Sequence, residues 1–99
     1  MNDITPTELK ERQQQNQAPV IIDVREPWEH EETRISGSQN IPLGELPAKL
    51  EELEGLKNQE VVVHCKGGGR SATAKALMQQ HGFQNVRNLL GGITAYNAQ

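Results

Sequence analysis

Residues 61–81 read VVVHCKGGGRSATAKALMQQH, and this stretch decides the fold. Its β-branched start, residues 61–63, does not alternate with polar residues, which is typical of a strand covered on both faces. A glycine-rich loop over residues 65–70 follows at once, and the apolar spacing of residues 71–81 then predicts a helix. A buried strand, a tight loop and a helix in this order indicate an α/β domain with a mainly parallel sheet.

Strands and helices keep alternating outside this stretch. A second β-branched run, VIIDV at residues 20–24, predicts another strand covered on both faces. The remaining patterns predict a very short strand near residues 40–41, a strand over 86–90, and helices over 6–17, 27–32, 45–54 and 93–98. The first of these helices has Thr5 as its cap and only Leu9 as an apolar anchor, so we expect it to face solvent.

The composition excludes several classes of protein. The 99 residues suit one domain, predicted to span 1–99, and its core must be aliphatic because only three residues are aromatic. A single cysteine excludes an intramolecular disulfide and any metal site built from several cysteines. No apolar stretch approaches the roughly 20 residues of a membrane span, and the polar start argues against secretion. A reducing cytoplasm is therefore the expected location.

The charge balance argues against two classes of partner. Ten basic residues stand against thirteen acidic ones, which gives a net charge of −3. Nucleic-acid-binding domains usually carry a clustered basic surplus, and anionic membrane surfaces attract basic segments. We therefore expect neither nucleic acid nor a membrane as a partner.

The loop CKGGGRS carries the predicted chemistry. Ligands of parallel sheets bind beyond the carboxyl ends of the strands, and Cys65 lies at such an end. Gly67, Gly68 and Gly69 can adopt φ > 0 and let backbone N–H groups turn toward one point, where they favour an anion. The N-terminus of the next helix favours negative charge at the same place. The sulfur of Cys65 is therefore predicted to be a nucleophilic thiolate.

The side chains around this loop are predicted to serve the same chemistry. Lys66 and Arg70 place positive charge at its rim, where they are expected to hold an anionic substrate. The planar fork of Arg70 suits sulfonate or phosphate oxygens. Ser71 is expected either to cap the helix or to donate a hydrogen bond to the sulfur.

Competing interpretations of the loop explain less of it. An inert buried cysteine would leave the triple glycine and the flanking cations without a reason, and a Walker phosphate loop needs a different residue order. A Cys–His pair is disfavoured because His64 is adjacent in sequence and points to the opposite face of its strand, where a structural role is expected. His81, near a helix C-terminus, and His30, expected on the surface, need no functional interpretation.

Four segments in order resemble the rhodanese family, over about residues 4–96. They are Asp23-Val24-Arg25-Glu26, Ile35-x-Gly37 with Asn40-Ile41-Pro42, the stretch 61–71, and Gly82-Phe83-x-Asn85-Val86 followed by Leu89-x-Gly91-Gly92-Ile93. The resemblance implies a three-layer α/β domain, with a central mainly parallel sheet and helices on both faces. It also implies transfer of sulfane sulfur through a persulfide on Cys65, cradled by the backbone amides of residues 66–70.

The resemblance extends to the substrates and to a supporting pair. It implies a small sulfur-donor anion such as thiosulfate, and a thiol, cyanide or a protein as acceptor, with no metal or organic cofactor. Asp23 and Arg25 match the family's Asp-x-Arg, and we interpret them as an ion-pair staple with Glu29 or nearby backbone.

The length of the loop separates sulfur transfer from a related chemistry. Cell-cycle phosphatases and arsenate reductases that resemble this family use a cysteine-to-arginine loop longer by one residue. Here four residues separate Cys65 from Arg70, which is the shorter form associated with sulfur transfer.

A second hypothesis stays open beside the free enzyme. The chain would then be a persulfide relay or recognition module that acts only with a protein partner. In either case the lone thiol of Cys65 has no internal resolving cysteine, so an acceptor from outside must discharge the persulfide. With no second domain to cover the loop, Cys65 is expected to be exposed.

Overall fold

A parallel sheet of four strands forms the centre of the computed structural model, which describes residues 2–99. Met1, the first residue of the predicted domain, lies outside the described residues. In chain order the strands are β1 Val20–Asp23, β2 Gln39–Asn40, β3 Glu60–His64 and β4 Asn85–Asn88. They lie side by side in the order β2-β1-β3-β4, and every pairing is parallel. The predicted α/β class is confirmed.

Five α-helices connect and cover the strands of the described chain. They are α1 Pro6–Gln14, α2 Pro27–Glu32, α3 Leu46–Lys49, α4 Gly69–Gln80 and α5 Gly92–Asn97, with short 3₁₀ turns at Leu43–Glu45 and Glu54–Leu56. None of the helices over residues 2–99 is long and apolar enough to cross a membrane.

The two faces of the sheet carry separate cores, as a three-layer domain requires. Val62 of β3 packs with Leu9 of α1 and Ile93 of α5 on one face. Its neighbours Val61 and Val63 point to the other face, where the core includes the following buried residues of α3 and α4: Leu46, Ala74 and Met78. All three valines are fully buried, because successive residues of a strand point to opposite faces and both faces of β3 are covered. The predicted helices on both faces are confirmed.

Helix α1 is shorter and better anchored than the sequence predicts. It ends at Gln14, and Thr5 caps its start by accepting a hydrogen bond from the backbone N–H of Glu8. The guanidinium of Arg87 in β4 lies 2.9 Å from Glu8 and 2.8 Å from Glu60 of β3. These ion pairs hold α1, which has little apolar surface, against the sheet.

The helix predicted over residues 45–54 is wrong as a continuous element. The chain forms the four-residue α3, a turn and a 3₁₀ segment instead, with Pro47 in the first turn of α3. Leu46, Leu50 and Leu53 are nonetheless all buried. The leucine spacing thus predicts which side chains face the core, whereas it does not determine the hydrogen-bond pattern between them.

Two smaller predictions also need correction at the ends of elements. Helix α4 ends at Gln80, so His81 is exposed instead of lying on the apolar face with Ala74. Strand β4 ends at Asn88, and Leu89 then forms an isolated bridge with Ile4 instead of continuing the ladder.

The register of the strands places one loop at the centre of the sheet's carboxyl edge. Asp23 at the end of β1 pairs with His64 at the end of β3, and Val63 pairs with Asn88 of β4. Cys65 therefore leaves the sheet between the ends of β1 and β4, where parallel sheets bind their ligands.

The start of α5 packs directly on this loop and predicts a sensitive position. Gly92 has φ +61, and a Cβ at this position would collide with the backbone of Cys65 and Lys66. Gly92→Ala should therefore lower the free energy of unfolding by about 2 kcal/mol or more, measured by urea denaturation. Gly55→Ala is the matched control, because a Cβ there meets nothing within 4 Å. Equal stability of the two variants would contradict the close packing of α5 on the loop.

Candidate active site

The loop after β3 curls around the sulfur of Cys65. Gly68 adopts φ +119, a left-handed conformation that favours glycine, and its backbone N–H donates a hydrogen bond to Sγ over 3.0 Å. Helix α4 begins at Gly69, so its N-terminus also lies beside the sulfur. The structure thus places the anion-favouring backbone of the predicted loop around Cys65.

Ser71 connects the sulfur to the neighbouring strand. Its Oγ lies 3.3 Å from Sγ of Cys65 and 2.6 Å from Oδ1 of Asn88, both within reach of the single hydroxyl proton. Nδ2 of Asn88 donates to the carbonyl of Gly68 over 3.1 Å. Of the two roles expected for Ser71, the structure shows the contact with the sulfur, because Gly68 occupies the cap position of α4. The shortest contact of the Ser71 hydroxyl is nonetheless the one with Asn88.

These contacts make Cys65 more acidic. Burial alone would raise the pKa of its thiol, because it disfavours the charged form. The hydroxyl of Ser71 and the backbone amides of Ser71, Gly68 and Gly67 outweigh the burial by hydrogen bonding to the sulfur, so the pKa lies below its ordinary value. A lowered pKa enlarges the thiolate fraction near neutral pH, and the thiolate is the nucleophilic form.

The expectation that Cys65 is exposed is wrong. Only 2% of the residue's surface is accessible, and it packs in the core cluster shared with Ala74 and Val63. The small size of the chain does not leave the sulfur open, because the loop itself and the start of α4 fold over it. A sulfur donor must therefore pass this loop to reach Sγ, and we call the exposed side of the loop at Lys66 its mouth.

The two cations expected to hold an anion together lie in different environments. Arg70 forms a two-pronged ion pair with Glu29 of α2, with Nη1–Oε1 and Nη2–Oε2 distances of 2.7 and 3.0 Å. Lys66 is exposed, and within residues 2–99 its ammonium has neither an ion pair nor a hydrogen bond. The free positive charge at the mouth is therefore that of Lys66.

Glu29 is a strongly ionised carboxylate. The hydrogen bonds from Arg70 lower its pKa to about 2, and the backbone N–H of Glu26 adds a further hydrogen bond of 3.0 Å. Its side chain is only 11% exposed. Glu29 therefore keeps its negative charge next to the loop at every pH at which proteins are usually assayed.

Asp23 and Arg25 form the buried support behind α2. The guanidinium of Arg25 donates to both carboxylate oxygens of Asp23, at 3.0 and 2.8 Å, and to the backbone carbonyl of Thr33 at 2.6 Å. Burial opposes ionisation of Asp23, but the hydrogen bonds from Arg25 and His30 outweigh it, and its pKa is lowered. The structure shows the expected staple to backbone, whereas Glu29, the other partner proposed for it, is bound to Arg70.

His64 and His30 lie in different environments near the end of β3. His64 is fully buried on the far side of the strand end, and burial lowers its pKa. Its Nε2 has no hydrogen bond and lies 3.9 Å from Asp23, which fits the expected structural role. His30 is half-buried instead of lying free on the surface, because its Nδ1 contacts Asp23 at 2.9 Å.

A cavity of about 200 Å³ opens beside the loop. Its walls include Lys66, Glu29 and the indole of Trp28, which is 62% exposed. Within residues 2–99 no group of three or more His, Cys, Asp or Glu side chains is placed to hold a metal. The structure brings together at this edge the Cys65 sulfur, the loop amides and the charged side chains of Lys66 and Glu29.

The sequence does not reveal the contacts that two residues make at this site. Asn88 orients Ser71 and Gly68, but a lone asparagine at the end of a strand carries no motif. Glu29 is predicted as a partner of the Asp23–Arg25 staple, but it binds Arg70, because α2 faces that residue in the fold. Its spacing from Glu26 is nonetheless a signal of the observed capping box at the start of α2.

Known proteins match this chain along nearly its whole length. Residues 5–99 match the family model for the rhodanese-like domain. A protein of Allochromatium vinosum named sulfurtransferase is 31% identical over 96 residues, covering 97% of this chain and 88% of that protein. The crystal structure of SSP1007 from Staphylococcus saprophyticus superposes with a TM-score of 0.87 at 34% identity, covering 97% of this chain and 93% of that one.

Other relatives are longer proteins. YrkF of Bacillus subtilis, whose name describes it provisionally as a sulfur carrier protein, is 35% identical over 86% of this chain, which spans 45% of its length. The chain spans a third or less of the matched tRNA uridine(34) hydroxylases. The same domain therefore occurs both nearly alone and within larger proteins.

The hydrogen bond from Ser71 predicts a shift in the titration of the single thiol. In the wild type the thiolate absorbance in the ultraviolet should appear at lower pH than for an ordinary cysteine, because the pKa of Cys65 is lowered. Ser71→Ala removes one donor to the sulfur and should move the midpoint to higher pH. Thr73→Ala, which removes a hydroxyl from an exposed position of the same helix, should leave it unchanged. Coincident curves for all three proteins would contradict the role of Ser71.

Proposed function

Because the chain belongs to the rhodanese-like domain family, as its four sequence segments predict, we propose that it transfers sulfane sulfur through a persulfide on Cys65. The donor is a small anion such as thiosulfate, and the acceptor is a thiol or cyanide. The observation that carries this proposal is the hydrogen bond from the Gly68 backbone N–H to Sγ, reinforced by Ser71.

The first step is an attack of the Cys65 thiolate on the outer sulfur of the donor. A new S–S bond forms between Sγ and that sulfur, and the S–S bond within thiosulfate breaks. Sulfite leaves with the electron pair of the broken bond, and Cys65 becomes a persulfide. No proton or external oxidant is needed in this step.

The second step returns the protein to its starting state. A thiolate or cyanide attacks the outer sulfur of the persulfide and takes it, and the electron pair of the broken bond returns to Sγ. The sulfur alternates between two anionic forms, thiolate and persulfide. Backbone amides that point at the loop's centre stabilise both, because they are oriented before the reaction begins.

The positions of the surrounding residues indicate their roles in this reaction. Lys66 attracts the donor, while Gly67, Gly68 and Gly69 supply the backbone nest, and Ser71 holds the sulfur ionised. Asp23 and Arg25 support α2 from behind and do not touch the reacting atoms. We propose that one domain performs the reaction, in a reducing compartment such as the cytoplasm, where the thiol of Cys65 stays reduced.

A second candidate is a sulfur carrier that serves a protein partner. The exposed indole of Trp28 beside Lys66 favours this alternative, since large exposed aromatic residues are common at protein interfaces. The two functions differ in how fast a small thiol discharges the persulfide. Rapid discharge favours the free enzyme, and a persulfide that outlasts excess small thiol favours the carrier.

The persulfide itself provides the direct test. Incubation with thiosulfate should raise the intact mass of the wild type by one sulfur atom, and excess thiol should reverse the change. Cys65→Ala should show neither the mass increase nor thiocyanate formation from thiosulfate and cyanide, because it lacks the chain's only thiol. Circular dichroism of the variant controls for loss of folding. A wild type that takes up no sulfur from thiosulfate or any other sulfane-sulfur donor would contradict the proposed function.

A further inference from the structure

The ion pair between Glu29 and Arg70 changes what the loop can bind, provided that the proposed sulfur transfer holds. The guanidinium of Arg70 presents its two terminal nitrogens to the two oxygens of one carboxylate, at 2.7 and 3.0 Å. This is the geometry in which an arginine would otherwise hold the oxygens of a sulfonate or phosphate. The carboxylate of Glu29 thus occupies the guanidinium nitrogens of Arg70, where the sequence predicts that the substrate binds.

Glu29 is held in this position from more than one side. Its Oε1 also accepts a hydrogen bond from the backbone N–H of Glu26, which closes the capping box of α2. Helix α2 is in turn fixed by the contacts of His30 with Asp23 and of Arg25 with the Thr33 carbonyl. A donor that took Arg70 for itself would leave the largely buried carboxylate of Glu29 without its partner, which is costly.

The charge at the mouth follows from this pairing. Glu29 neutralises Arg70, so Lys66 supplies the one positive charge that is unpaired among the described residues lining the mouth. A singly charged donor needs no more than this. Glu29 and Lys66 line the same cavity, so a doubly charged donor drawn to Lys66 would bring its second negative charge toward Glu29.

We propose that Glu29 is a specificity-determining residue, which makes the site favour singly charged sulfane-sulfur donors over doubly charged ones. It acts by occupying the fork of Arg70 and by keeping a negative charge beside the loop. Thiosulfate remains a donor, but it binds with one fewer favourable charge contact than the sequence of the loop suggests.

Two sulfur donors of nearly the same shape but different charge allow the effect of the donor's charge to be measured separately from the effect of its shape. Methanethiosulfonate is thiosulfate with a methyl group in place of one charged oxygen, so it carries a single negative charge. Both donors give Cys65 the same persulfide, and the leaving group is methanesulfinate instead of sulfite. The ratio of their kcat/KM values therefore reports how the site responds to the second charge.

The decisive variant is Glu29→Gln, which keeps the shape and removes the charge. It should raise kcat/KM for thiosulfate relative to methanethiosulfonate by about tenfold at low salt, mainly through a lower KM, because one unit charge near the donor is removed. High salt should reduce this gain. Glu31→Gln removes an exposed charge from the same helix and should leave the ratio close to that of the wild type. A merely structural role for Glu29 would change both donors alike and leave the ratio unmoved.

The double variant Glu29→Gln with Arg70→Gln keeps the inference testable should the single variant fold poorly. It removes an internally neutral pair, so the donor ratio should stay within about twofold of the wild-type value. A large loss for thiosulfate alone would instead show that Arg70 leaves Glu29 to bind the donor, and would overturn the inference.

The outcomes also separate this inference from the proposed function. A wild type that accepts sulfur from both donors, with a ratio that Glu29→Gln does not change, would overturn the role of Glu29 and leave the sulfur transfer standing. A wild type that accepts sulfur from neither donor would overturn the proposed function and this inference together.

Discussion

The central position of β3 is the constraint on which the site depends. Strand β3 has a parallel partner on each side and a core on each face, so its position is fixed. Its carboxyl end therefore places Cys65 at one defined point of the sheet's edge. The backbone N–H groups of Ile93 and Thr94 then bind the carbonyls of Cys65 and Lys66, at 3.0 and 3.2 Å. These bonds turn the other side of the loop, with the Gly68 N–H, toward the sulfur. The anion site is therefore a consequence of the packing of α5 and β3, and no side-chain cation is required to create it.

The acidic residues around the loop are as important as its cations. Each buried or half-buried arginine at this edge has a carboxylate of its own: Arg25 is bound by Asp23, and Arg70 by Glu29. Such pairing avoids the large cost of burying an uncompensated guanidinium. It also leaves Lys66 and the backbone amides to attract a substrate in the proposed reaction. Of the two positive charges that the sequence places at the loop, that of Arg70 is therefore neutralised by Glu29 within the protein.

The sequence predicts the fold and the position of the thiol, but it does not predict the contacts across the site. The β-branched runs and the leucine spacing identify what is buried, because burial depends on side-chain character that is visible residue by residue. The partner of Arg70 depends on how α2 docks 41 positions away, and no local pattern carries that information. The burial of Cys65 likewise depends on how tightly its own loop closes, which length and composition do not determine. Asn88 reaches the site only because β4 lies beside β3.

The depth of the sulfur gives the two steps of the proposed cycle different steric demands. In the first step the donor must bring its outer sulfur down to Sγ, which lies beneath the loop with the residue 2% exposed. A terminal, narrow sulfur meets less hindrance on this approach than a bulky disulfide does. In the second step the reacting atom is the outer sulfur of the persulfide, which stands one S–S bond, ~2 Å, beyond Sγ. An acceptor therefore has to reach less deeply past the loop than the donor does, so a larger thiol or a protein meets less steric hindrance. The same burial that restricts the donor thus leaves the choice of acceptor open.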